Sequence, residues 1–335
     1  MTLRSIVMSA SLSATLLLSL FVVAGFLGAL HPAFDSFAHF RVHFSAMMAL
    51  AALPLLLSSW RAHGFMALLL AVGATLTAVG LPSLGIGPAH AAFETRPVLA
   101  RSYSLLHLNL RYNHAHPERV LDLLEQNTPD FVFLNEVSEM WNAKLRGMQN
   151  LYPFQLRCGG DTRVGGTAIL SRHAFSAGRL TECAGSGSIA MAQVELDGTA
   201  LDLVSMHLGW PWPFDQPRQI GLLTEKLASL GPQAIVAGDL NAVPWSNAVR
   251  RVVAAGSLSA MRSPGPTWLF GWLPTGWRQW IGLPIDHIFK KGDIAFFAGG
   301  ALPDVGSDHL PLFAEFGLPE SDGEPEDRTI TVWAR

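Results

Sequence analysis

The residues equipped for chemistry sit repeatedly where apolar runs end. They are Asn109 in LLHLNLRYN, Glu136 in DFVFLNEV, His207 in LDLVSMHL, Asp239 and Asn241 in AIVAGDLN, Asp286 in LPIDHIF, and Asp308 with His309 in GSDHLP. Burying a carboxylate beside hydrophobic strands is costly unless it meets a metal or a partner. Several such positions in one stretch of chain therefore point to a shared hard-cation site. Oxygen-rich ligands without cysteine suit Mg²⁺ or Mn²⁺ better than Zn²⁺.

The runs that position these residues read as strands, and the polar residues are expected at their C-terminal ends, where α/β folds place sites. Strands are predicted at 102–110, 131–137, 166–171, 190–196, 201–208, 234–240, 285–289 and 312–316, all rich in β-branched or large apolar residues. The Asp197-Gly198 pair between two of them is a hairpin signal. Helices are predicted at 117–126, opened by Pro117, at 216–230 and at 246–255. Strand runs with helices between only some of them imply packed mixed sheets rather than one parallel sheet. No internal repeat is visible.

Composition divides the chain. Half of its 335 residues are hydrophobic and only 15% are charged, so part of it is expected to meet lipid. Residues 1–96 carry four Lys or Arg and two Asp or Glu; residues 97–335 carry 19 and 24, a net of −5. An acidic C-terminal part argues against gripping long nucleic acid by phosphate neutralisation, although a local basic patch is compatible with it. Collagen-like, disordered and disulfide-scaffold classes are excluded by the hydrophobicity and by a cysteine count of two.

Residues 5–30 hold no charge and exceed the roughly 20 residues that span a bilayer as helix. Uncharged stretches at 44–60 and 64–89 add two more candidates, so three spans are expected within a membrane region at 1–96. The alternative is a cleaved signal peptide, with Ala89, His90 and Ala91 as a small-residue site, but the first run is long for one. Arg4 and Arg61 fall on one side, Arg41, Arg96 and Arg101 on the other, which leaves orientation nearly balanced. Three spans with the N-terminus inside would put the C-terminal part outside the cytoplasm, in the periplasm of a bacterial inner membrane. Cys158 and Cys183 could pair in such an oxidising compartment, or remain two buried thiols. After a linker holding Pro97, residues 97–318 make one domain, and 319–335 read as an acidic solvated tail.

The succession LNLRYN, LNEV, GGTAIL, SMHL, GDLN, IDHIF, SDHLP resembles the endonuclease/exonuclease/phosphatase superfamily, over about 102–316. That superfamily includes deoxyribonuclease I, exonuclease III, neutral sphingomyelinases and inositol polyphosphate 5-phosphatases. The resemblance implies N-terminal transmembrane α-helices followed by an α+β four-layer β-sandwich of deoxyribonuclease I type. It further implies Glu136 as principal metal carboxylate, helped by Asn109 and Asp308, and a Mg²⁺ or Mn²⁺ cofactor. Asp239 resembles the aspartate that positions or deprotonates the attacking water, and Asn241 the amide that holds that water and a phosphate oxygen. His309 resembles the histidine on the scissile phosphate, Asp286 the carboxylate that orients it, and His207 a second phosphate contact. In-line displacement at phosphorus needs such a metal, a positioned water and polarising donors. One departure is Arg111, where some members offer the metal an aspartate, which counts against a second metal.

Each residue has a plainer reading. Asn109 and Asn241 suit turns after strands, His287 suits a structural role, and Gly165 and Gly166 suit a tight turn before a strand. His114 and His116 fall in a polar loop and are expected to be solvated, while Asn113 beside them is a candidate to face substrate. Trp210 and Trp212 follow His207, and Trp268, Trp272, Trp277 and Trp280 precede Asp286. Trp210 and Trp268 are the candidate substrate contacts. Such tryptophans pack on each other, graze a bilayer to present a phospholipid, or stack on bases. The sequence thus implies a membrane-anchored metal phosphoesterase, with an extracytoplasmic nuclease or a non-catalytic tethered scaffold as alternatives. Expected partners are the bilayer and a phosphate ester, whether phospholipid, nucleic acid or small molecule; none is a protein.

Overall fold

The computed structural model describes residues 2–80, 86–88, 90–96, 101–159, 162–177 and 181–319. The expected linker proline, Pro97, and all of the acidic tail beyond Pro319 lie outside these.

The N-terminal region is helical: α1 (Leu3–Ala24), α2 (Pro32–Ala38), α3 (Arg41–Ala52) with a short helical turn at Leu53–Leu57, and α4 (Arg61–Val79). Leu18, Val22, Met48, Ala52, Ala67, Ala71 and Ala74 form its buried seam. Alanines dominate on α4, and small side chains let helix backbones approach closely where lipid supplies no hydrophobic drive. Among the described residues, α1 and α4 are long and apolar enough to cross a membrane. The middle segment is a bent pair: α2 and the Arg41–Leu57 run meet at 64°, so the described residues hold two candidate spans, or three where that pair counts as one. The third apolar stretch stops being helix at Val79, where Gly80 takes φ +84°.

Strands β1 (His90–Ala91), β2 (Tyr103–Asn109), β3 (Phe131–Val137), β4 (Phe154–Cys158) and β5 (Gly166–Ser171) come next, with α5 (Pro117–Asn127) and α6 (Glu139–Arg146) flanking β3. Then follow β6 (Thr181–Ala184), β7 (Ile189–Leu196), β8 (Thr199–His207), α7 (Gln216–Ala228), β9 (Ala234–Asp239), α8 (Asn247–Gly256) and β10 (Ser259–Met261). The last elements are α9 (Arg278–Ile281), β11 (Asp286–Lys291), β12 (Ala295–Ala301) and β13 (Leu312–Gly317). They make two mixed sheets, of order β12-β13-β2-β3-β5-β4 and β1-β10-β11-β9-β8-β7-β6. Every predicted strand is present. The missed ones, β1, β4, β6, β10 and β12, are short, exposed or glycine-bearing edge-side pieces with weak alternation.

Period two explains the layers. On β2 and β3, Leu105, Phe131 and Phe133 point between the sheets, while Leu106, Leu108, Val132 and Leu134 point outward under α5 and α6. On β8 and β9, Leu203, Ile235 and Ala237 point inward, while Val204, Met206 and Val236 meet α7 and α8. The result is helices, sheet, sheet, helices. Asp197 and Gly198, both at positive φ, close the β7–β8 hairpin as expected. A Cys158–Cys183 disulfide joins β4 to β6, the outer strands of the two sheets, so the cysteines pair across the sandwich edge.

Candidate active site

The inward alternation that builds the core continues past it, and at one end of the sandwich the inward positions turn polar. On β2 these are His107 and Asn109; on β3, Asn135; on β8, His207; on β9, Asp239; on β11, Asp286. Register aligns them: His207 pairs with Asp239, Asp239 with Asp286, and Asn109 with Asn135. One expectation is corrected here. Asp286 begins its strand, and Asp308 and His309 precede β13. Because β11 runs antiparallel to β9 and β13 antiparallel to β2, those N-terminal ends share an edge with the C-terminal ends of β2, β3, β8 and β9.

Strict alternation would turn Glu136 outward. A β-bulge between Asn135 and Val137 prevents this, with Glu136 at φ +57° and Val137 in the outer cluster. Arg111 (φ +57°) and Asn241 (φ +46°) are also left-handed. Non-glycine residues hold such conformations only where the surroundings over-determine them, which is common at functional sites.

The buried network is dense. Asp286 Oδ2 accepts from His309 Nδ1 at 2.8 Å, and its Oδ1 lies 3.1 Å from His107 Nε2. Asp239 Oδ1 accepts from Asn241 N at 2.8 Å, its Oδ2 accepts from Asn109 Nδ2 at 2.9 Å, and its own N–H donates to Asn135 Oδ1 at 2.8 Å. His207 Nε2 and His309 Nε2 lie 3.7 and 3.6 Å from Asp239 Oδ2. Glu136 accepts from Asn109 Nδ2 at 3.2 Å and from Tyr112 N at 2.8 Å. Asn241 Nδ2 donates to Leu208 O at 2.8 Å.

Electrostatics follow from these contacts. Burial alone would lower His309, but Asp286 and Asp239 outweigh it and push the imidazolium up to about 10. Burial raises Asp286 too, yet His309 and His107 hold its carboxyl far below the usual range. Burial pushes Asp239 up, with His309 opposing. Burial, helped by the positive His309, drops His207 to about 4, so its ring is neutral at pH 7. Glu136 is raised by burial. A site that holds a charged imidazole, a neutral imidazole and a carboxylate shifted toward neutrality has the parts for acid–base chemistry.

A cleft of about 670 Å³ opens above the network. Its lining includes Glu136, His207, Asp239, Asn241, Asp308 and His309, and also Asn113, Arg111, Trp210 and Trp268. Asn109 and Asp286 are buried beneath it. Trp210, Trp268, Phe270 and Trp272 form an edge-to-face row along one wall, with centroids 5.4, 5.7 and 5.5 Å apart. Trp272, Trp277 and Trp280 are largely exposed. The oxygens available to a cation fit a hard divalent ion: Glu136, Asp308 and Asp239 face one space, and burial disfavours the charge on Glu136 unless a cation meets it. Ligand atoms of Asp239, Asp286 and His309 also cluster within 4.8 Å. Both Asp286 oxygens are already committed to histidines, however, so that trio reads as an orienting network.

Sequence reasoning missed His107 and Asn135. Their signal was available, since His107 lies two positions before Asn109 on the same strand face and Asn135 adjoins Glu136. His114 corrects another expectation: it is buried, with Nδ1 accepting from His116 N at 2.9 Å, while His116 is exposed. His287 is structural, donating to Ala242 O at 2.7 Å. Gly165 sits at φ +85° in a turn, where a Cβ would lie 2.2 Å from Val137 O, so close backbone approach explains it.

The family model of the Endonuclease/Exonuclease/phosphatase family matches residues 106–309, which span every motif of this network. The chain belongs to that family. Members of the endonuclease/exonuclease/phosphatase family are hydrolases acting on phosphoester bonds. UPF0294 proteins from two strains of Vibrio vulnificus are 32% identical to this chain over 130 residues, covering 37% of it. The match spans 42% of the length of those curated relatives. Among solved structures, an endonuclease/exonuclease/phosphatase from Bacteroides vulgatus superposes with TM-score 0.54 at 16% identity, covering 65% of this chain and all of that one. D. rerio TDP2, complexed with a single-strand DNA product, gives 0.53 at 18% identity, covering 65% of this chain and 99% of its own. These likenesses establish the deoxyribonuclease I-like fold of the sandwich.

Proposed function

We propose that the protein is a membrane-anchored, divalent-metal-dependent phosphoesterase that hydrolyses phosphodiester or phosphomonoester bonds by in-line attack of water. One observation carries the reading: Glu136, Asp239, Asn241, Asp308, His207 and His309 converge on a single cleft although they come from four separate segments. Asp239 accepts the proton of the attacking water, a task suited to a carboxylate raised toward neutrality by burial. Asn241 holds that water and a phosphate oxygen. The His309 imidazolium, oriented by Asp286, and the neutral His207 donate to the phosphoryl oxygens as negative charge grows there. A cation held by Glu136, Asp308 and Asn109 would supply charge neutralisation at the reacting phosphate. Arg111 lines the cleft and supports one metal rather than two.

The aromatic row favours a substrate with an apolar or aromatic group beside the phosphate. The loop that carries Trp210 and Trp212 touches the N-terminal helices: Ser36 Oγ donates to Trp212 O at 3.0 Å, and the His31 ring lies 6.3 Å from that of Trp212. With Trp277 and Trp280 exposed in the segment before Asp286, this supports a cleft at a lipid surface and a phospholipid or lipid-linked phosphate as substrate. The disulfide supports an oxidising location, the periplasmic side of a bacterial inner membrane. The single-strand DNA product in TDP2 favours a second reading, an extracytoplasmic nuclease that stacks bases on the same aromatic row. The test is hydrolysis by the full chain, reconstituted in lipid, of phospholipids, DNA, inositol phosphates and a generic diester with Mg²⁺ or Mn²⁺. Turnover abolished by EDTA and by Asp239→Asn is expected, and the panel names the substrate class. Turnover indifferent to either, or none from a folded protein, would overturn the reading.

A further inference from the structure

We infer that the N-terminal helices complete the active site, with His39 as a positioning residue that holds the Asn241 loop in place. His39 closes α2 and is almost wholly buried, at 2% exposure. Its Nε2 lies 3.1 Å from the carbonyl oxygen of Asn241, 202 positions away. The same carbonyl accepts from Gln216 Nε2 at 3.2 Å, and that amide also donates to Leu240 O at 2.9 Å and Gly209 O at 2.9 Å. Asn241 is left-handed, a conformation that lasts only when its surroundings dictate it. One of the groups that dictate it comes from the membrane region.

The dock around His39 is polar and specific. Asp35 is 6% exposed and accepts from Asn247 N at 2.7 Å and Ala248 N at 2.9 Å, so a carboxylate from α2 caps the first turn of α8. Trp245 Nε1 donates to Ala38 O at 2.7 Å. Gly28 leaves the room: a Cβ there would meet Asp35 Oδ1 at 2.5 Å. Both ends of the segment from Asn241 to Ala248 are thus fastened to α2. Asp239 shares the constraint, because its Oδ1 accepts from Asn241 N. A hydrophobic anchor needs none of these bonds. Two buried polar side chains on α2 aimed at the loop that follows β9 are what a positioning role needs.

This inference rests on the phosphoesterase reading only for its kinetic part. Reactive groups displaced by about 1 Å can cost on the order of 100-fold in rate. For the full chain in lipid, His39→Ala is expected to lower kcat on a generic diester by roughly 10- to 100-fold, with KM within about twofold. It is also expected to speed hydrogen exchange at 240–248, leaving β2 and β3 protected. His39→Gln, whose amide N–H can reach the same carbonyl, is expected to restore both. Unchanged exchange at 240–248 in His39→Ala, a loss in KM alone, or failure of His39→Gln to restore would overturn it. If the parent shows no turnover on any ester, the phosphoesterase reading fails and exchange alone decides the positioning role. If His39→Ala does not fold, His39→Gln decides: parental kcat and exchange support the role, and their loss refutes it.

Discussion

Asp286 and His309 share a hydrogen bond of 2.8 Å between Oδ2 and Nδ1, buried where β11 begins and β13 is about to begin. The carboxylate fixes which face of the ring meets the cleft and keeps the ring charged. Asp286→Asn removes that charge while keeping the size, so His309 should titrate lower. The expected result is a kcat loss of roughly 100-fold or more. The alkaline limb of the kcat–pH profile should also move to lower pH. An unchanged profile would show that Asp286 does not tune His309.

Glu136 is a half-buried carboxylate turned into the cleft by a bulge. In metal-free protein that charge is a burden, so Glu136→Gln should raise the melting temperature measured in EDTA. The same variant should weaken Mn²⁺ binding at least about tenfold by calorimetry, since a ligand is lost. Opposite signs in the two measurements are the signature of a metal carboxylate. A structural glutamate would lower stability and leave binding unchanged.

The Cys158–Cys183 bond closes a loop with a sequence separation of 25 and joins the outer strands of the two sheets. The chain-entropy treatment gives such a loop about 3.5 kcal/mol of stabilisation. Reduction, or a Cys158→Ser, Cys183→Ser double variant, should lower the midpoint of denaturant unfolding accordingly while leaving the metal site intact. Equal stability with and without reductant would contradict the bond's role.

His287 is held at about 4 by burial, against an unfolded value of 6.5, while Ala242 O and Asp286 oppose the shift. Between these values the unfolded chain binds a proton that the folded chain refuses. Stability from this group is therefore full above the unfolded value and lost as pH falls toward the folded one, by up to roughly 3 kcal/mol. His287→Gln keeps an N–H for Ala242 O but does not titrate. Its melting temperature should fall less than the parent's between about pH 7 and about pH 5.

Trp277 and Trp280 are exposed by 55% and 74% and lie outside the cleft lining. If they meet the bilayer interface, replacing both with serine should lower turnover of a vesicle-borne phospholipid several-fold relative to a water-soluble diester. Equal losses on the two substrates would leave them a purely structural role.

Much of this protein was written in the order of its residues. Apolar alternation located β2, β3, β5, β7, β8, β9, β11 and β13, and Pro117 and Asp197-Gly198 marked a helix start and a hairpin, because these are local preferences of the backbone. The polar residues that interrupt those runs, from Asn109 to His309, were legible for the same reason: a charge beside a buried strand needs a partner. Tertiary structure decided what no local pattern encodes. Antiparallel pairing brought the starts of β11 and β13 to the edge where β2, β3, β8 and β9 end. A bulge turned Glu136 inward against its own alternation, and His107 gained a function only because Asp286 arrived 179 residues later in the chain. The same holds for His39 and Asn241, since hydrogen bonds between distant segments depend on chain closure that neighbouring residues do not specify.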